Sequence, residues 1–147
     1  MTNPTAPAKK LSDFKPPLSP EDHKELLSIL HKLQRSQTTL RNEYDNFAVL
    51  ASEAYSPYTR KLKFATKPSF VISDEDLPIS LRKIPQVPEK RWGFIANPEY
   101  LDAKKKAKAL LVPYLLKNKD IFLSPLSQRL ETIQYQITQI HKLLETR

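Results

Sequence analysis

Read along the chain, Leu26, Leu30, Leu33, Gln37, Leu40, Tyr44, Phe47, Ala51 and Ala54 are spaced alternately four and three residues apart without a break. That is the a/d seam of a heptad repeat over four heptads, and a strand, whose side chains alternate with period two, cannot produce it. One long helix is therefore expected over residues 19–56, with roughly 54 Å between Pro20 and Tyr55 at 1.5 Å per residue. A helix of that length needs something to cover its seam. Leu126, Leu130, Ile133, Ile137, Ile140 and Leu144 repeat the same spacing near the C-terminus, giving a second expected heptad helix over 124–147. Leu27, Ile29 and Leu143 widen both stripes, so more than two helical faces are expected to meet there. Gln37 is the one strongly polar seam member, either an amide that sets register or a point where the seam opens to solvent.

The residues before the helices carry start signals. Ser19 and Ser124 each precede a proline, as Asn97 precedes Pro98. In each case a side-chain oxygen can accept from an orphan backbone N–H while proline takes the first helical position. Asn97 then opens a third helix, expected over 97–121 and kinked at Pro113. Ser56-Pro57, with Arg60 and Lys61 close behind, is the best candidate phosphorylation site of the Ser-Pro pairs.

Residues 57–96 hold prolines at 57, 68, 78, 85 and 88 among β-branched and aromatic residues. That composition suits an extended segment lying along a partner. Residues 1–18, with prolines at 4, 7, 16 and 17, are expected to form a flexible tail. The expected fold class is thus mainly α: an elongated coiled-coil or helical-bundle subunit with a long Pro-rich extended central segment.

Composition narrows the function classes. Gly93 is the only glycine and there is no cysteine, which argues against phosphate-cradling glycine loops, thiolate zinc sites, disulfides and a cysteine nucleophile. His23, His31 and His141 do not show the paired spacing of a zinc helix, and Asp74, Glu75 and Asp76 lack calcium-loop spacing. No cofactor and no enzymatic activity are expected. No apolar run reaches the length of a membrane span, and the N-terminal residues lack the apolar core of a secretion signal and the Arg-rich amphipathic pattern of a mitochondrial presequence. The nucleus is the expected home, ahead of cytosol and mitochondrion.

The formal charge is +8. Residues 1–56 balance seven Lys/Arg against seven Asp/Glu, so the excess lies further along. Arg60, Lys61, Lys63, Lys90 and Arg91 interleave with Phe64, Phe70, Trp92 and Phe94, a mixture that suits either a clamp on an acidic protein surface or stacking on a single-stranded nucleic acid. Lys104, Lys105, Lys106 and Lys108 form a run that reads either as a solvated helix face or as a contact for phosphates or an acidic partner; Tyr100, Leu101, Ala107, Leu110, Leu111, Tyr114 and Leu115 are expected on the opposite, apolar side. Residues 70–77, Phe70-Val71-Ile72 followed by Asp74, Glu75 and Asp76, loosely resemble a SUMO-interacting motif, in which an extended apolar stretch adds a strand to the modifier.

These features describe a non-enzymatic scaffold or adaptor subunit of a multi-subunit assembly of the transcription-regulatory, chromatin or kinetochore type. The seam residues and the aromatic anchors are expected to bind other protein subunits. The alternative is an RNA- or DNA-associated accessory protein, such as a ribonucleoprotein or ribosome component, working through the basic residues.

Overall fold

Ser19 caps the first helix as its position demands: its Oγ accepts from the Asp22 backbone N–H at 3.0 Å, with Pro20 first in the helix and Glu21 and Asp22 in the positive first turn. In the computed structural model, which describes residues 10–145, the protein is mainly helical. Helix α1 runs Pro20–Ala54, α2 Pro98–Lys117 and α3 Lys119–Glu145. Two short antiparallel hairpins lie between α1 and α2: β1 (Tyr55–Ser56) with β2 (Lys61–Leu62), and β3 (Lys90–Arg91) with β4 (Ile95–Ala96). Turns of 3₁₀ helix occupy Leu11–Asp13, Asp74–Asp76 and Ile79–Lys83. Among the described residues no helix is long and apolar enough to cross a membrane.

The chain divides into two units, residues 1–40 with 128–147, and residues 41–127. In the first, Phe14, Leu26, Leu30, Ile137 and Ile140 form one buried cluster, with Leu27, Ile29, Leu33, Ile133, Leu143 and Leu144 packed against it. Gln37 Nε2 donates to Gln134 Oε1 at 2.7 Å. As residue numbers rise along α1, those of its neighbours on α3 fall, so these two segments pack antiparallel. The two seams cover each other here, and Gln37 is half-buried on a partner amide. Residues 1–9 of the expected tail lie outside the described residues, as do 146 and 147 of the expected last helix. Residues 10–18 are not the flexible tail expected of them: Phe14 is 3% exposed in the cluster, and Leu11 and Leu18 pack around it. Burial of one aromatic ring and two leucines outweighs the extended bias of the prolines.

In the second unit, Leu126, Tyr44 and Phe47 complete the seams: Leu126 and Phe47 are buried, and Tyr44 is half-buried with the Lys119 ammonium 4.4 Å from its ring centre. Of the remaining seam residues, both in the first unit, Leu40 is buried and Leu130 half-buried. Residues 57–96 are not the extended strap expected. Phe70, Leu81, Ile84 and Val87 are buried, so the segment folds onto its own unit. Arg60 fixes part of this path, its Nη2 donating to the Arg82 and Ile84 carbonyls at 3.1 Å each while its own φ is 58°. Gln86 Nε2 donates to the Tyr58 carbonyl at 3.0 Å.

Two helix boundaries differ from expectation. Helix α2 ends at Lys117, where Asn118 Nδ2 donates to the Tyr114 carbonyl at 2.8 Å, and α3 begins at Lys119. Ser124 and Pro125 therefore sit inside α3, and Ser124 is no cap. Phe122, Leu123 and Leu126 are all buried, and their burial offsets the roughly 3 kcal/mol that an interior proline costs. The apolar face of α2 also differs: Ala103, Ala107, Leu111 and Leu115 are buried, whereas Leu101 and Leu110 face solvent. Steps of four place one residue per turn on the inner stripe, and alanine there lets the helix lie close to its neighbours.

Candidate interaction surface

Asn97 is buried at the mouth of the second hairpin and organises it. Its Oδ1 accepts from the Glu99 N–H at 3.1 Å, the N-cap expected from sequence, and also from Arg91 Nε at 3.2 Å. Its Nδ2 donates to the Pro88 carbonyl at 2.9 Å and its backbone N–H to the Glu89 carbonyl at 3.1 Å. Arg91 Nη2 reaches Glu99 Oε1 at 3.2 Å. One side chain thus ties both sides of the hairpin base to the first turn of α2, its oxygen accepting twice and its amide nitrogen donating once.

Beyond this base the chain reverses through Trp92, Gly93 and Phe94. The Phe94 N–H donates to the Arg91 carbonyl at 3.2 Å, with φ of 52° at Trp92 and 82° at Gly93. Two positive φ values in succession are the mark of a type I′ turn, whose twist matches that of a hairpin. The only glycine of the chain is placed for its backbone, since a Cβ there would meet nothing within 4 Å. Trp92 has no such freedom. A large side chain held left-handed costs on the order of 1 kcal/mol and persists only where the surroundings enforce it.

The turn carries its two rings into solvent, Trp92 at 83% and Phe94 at 75% exposure. Lys90 and Arg91 precede them on β3, both exposed. The expected anchors therefore separate. Phe70 is buried edge-on against Phe47 and Phe64, each ring centre 5.8 Å from its own, so Phe64 and Phe70 serve the fold while Trp92 and Phe94 face outward. A buried Phe70 is also not available to add a strand to a modifier, contrary to the motif resemblance at 70–77. Asp74 and Asp76 accept from the Leu62 and Ser73 N–H groups.

The basic residues separate in the same way. Arg60 and Arg91 hold backbone and cap as described, Lys104 Nζ donates to the Glu53 carbonyl near the end of α1, and Lys106 pairs with Asp102 at 3.3 Å. Lys61, Lys63, Lys90, Lys105 and Lys108 are exposed. Ser56 is half-buried, its Oγ accepting from the Tyr58 and Thr59 N–H groups at 3.3 Å each, and Pro57 behind it is buried. Sequence reasoning saw Asn97 only as a helix cap; its second use, as a brace for the hairpin, has no local signal because it depends on Pro88 and Arg91 folding back. Comparison with known protein families, curated proteins and solved structures returns no match to this chain.

Proposed function

We propose that the chain is a non-enzymatic adaptor subunit of a larger assembly and that its second hairpin docks on an acidic surface of a partner protein. The observation that carries this reading is the pair of exposed rings, Trp92 and Phe94, on a turn held left-handed and braced from behind by Asn97. Backbone strain maintained to expose apolar surface has no benefit for the isolated fold. Burying the two rings in a partner's pockets contributes about 2–3 kcal/mol each. Because the tip is already ordered, little entropy is lost on docking. Lys90 beside the rings, on a chain of charge +8, favours an acidic rim on the partner. The nuclear setting is part of the same proposal and rests on charge and composition.

Replacing both rings, Trp92→Ser with Phe94→Ser, removes the anchors at solvent-exposed positions without touching the core. Affinity purification of the intact chain should then lose at least one companion protein that the parent chain retains. An unchanged set of companions contradicts the docking role, and loss of nucleic acid alone would favour base stacking by the same rings.

A further inference from the structure

A second surface of opposite character lies in the 41–127 unit. Residues 71 and 75–80, with Tyr114, Asn118, Ile121 and Phe122, line a groove of about 710 Å³. Val71, Ile79 and Ile121 stand in it 76%, 75% and 72% exposed, three β-branched side chains around one concavity. Scattered exposed apolar residues are ordinary, but several gathered in one groove mark a binding surface. The walls are set in place: the Tyr114 hydroxyl donates to the Asp76 carbonyl at 3.0 Å, and Asp76 Oδ2 and Asp74 Oδ1 accept from the Ser73 and Leu62 N–H groups at 3.2 and 2.9 Å.

Among the described residues, the carboxylates lining this groove are those of Glu75 and Asp76, and no Lys, Arg or His lines it. On a chain with eight more basic than acidic residues, that reversal of sign selects the occupant. We infer that the groove receives a short segment of a partner protein that carries two or three large apolar side chains flanked by Lys or Arg. Apolar groups fill the space between Val71, Ile79 and Ile121, and the cations meet Glu75 and Asp76 at the rim, where complementary charge sets orientation and on-rate. The volume matches sites that take a few large side chains. A hairpin suited to an acidic surface and a groove suited to a basic apolar segment allow one chain to bridge two unlike partners. The groove is argued from its own residues and does not depend on the hairpin.

The test selects a random phage-displayed peptide library on the full chain carrying Trp92→Ser and Phe94→Ser, so that the hairpin contributes nothing. The enriched peptides should combine Lys or Arg with Leu, Ile or Phe. Their affinity should fall at least about tenfold with Ile79→Asp or Ile121→Asp, and several-fold with Glu75→Lys or raised salt. Circular dichroism should be unchanged for each variant, since all three positions are exposed. Absence of enrichment, enrichment of acidic peptides, or binding indifferent to Ile79→Asp overturns the inference. So does sedimentation showing that a second copy fills the groove, as a doubled mass abolished by Ile79→Asp.

Discussion

Gln37 and Gln134, 97 positions apart, meet side chain to side chain at 2.7 Å where the two heptad segments of the first unit pack. The bond lies at the solvent margin, so it contributes at most about 1 kcal/mol. Gln37→Leu should change unfolding free energy by less than about 1 kcal/mol, because Gln134 can turn to water. Leu30→Ala, inside the cluster with Phe14 and Ile137, should cost about 2–4 kcal/mol. Urea denaturation of both variants checks the contrast. Equal effects would mean that the amide pair and the leucine cluster are not energetically distinct. Aspartate at Leu30 or Ile140 should unfold this unit, because these positions are buried within the chain itself.

Asn97 carries the hairpin. Asn97→Ala removes the α2 cap and leaves the Pro88 carbonyl and Arg91 Nε without their partner, so stability should drop by about 2 kcal/mol. Asn97→Asp keeps the cap but loses the donor to Pro88, and should cost less. Hydrogen exchange at residues 89–96 should accelerate more in the alanine variant than in the aspartate one. Equal exchange in both would remove the bracing role.

Tyr55 titrates above its ordinary value of 10 because burial disfavours the phenolate, an effect the nearby Arg60 charge partly opposes. The neutral phenol is therefore the form the fold prefers. Below pH 10 both folded and unfolded chains keep the proton and nothing changes; above it the unfolded chain releases the proton first, so the folded state holds more protons and stability falls as pH rises. Tyr55→Phe should flatten that alkaline decline while leaving unfolding near pH 7 within about 1 kcal/mol of the parent. A decline equally steep in the variant would assign it to other groups.

The long helices were legible because period is a local property: Leu26 to Ala54 and Leu126 to Leu144 carry it in their own spacing. Ser19 and Asn97 were legible as caps for the same reason. Ser124-Pro125 has the same local pattern yet lies inside α3. Phe122, four residues before Leu126, continues the apolar seam upstream of the serine and was the available signal. The folding of the central segment has no local signal, because proline density says how a chain is stiffened and nothing about what it packs on. Phe70, Leu81 and Ile84 find their partners only through tertiary contacts. The outward turn of Trp92 could not be read either, since Trp-Gly lacks the Asn-Gly or Asp-Gly signature of a type I′ turn.

The docking role is tested most directly by placing a photo-crosslinking p-benzoylphenylalanine at position 92 in cells, with Tyr135 on α3, also exposed, as the control site. A discrete covalent adduct with another polypeptide at position 92, absent at position 135 and weakened when Asn97→Ala loosens the hairpin base, is the predicted result. No protein adduct at position 92, or one equally strong at both sites, would contradict an adaptor that docks through its hairpin tip.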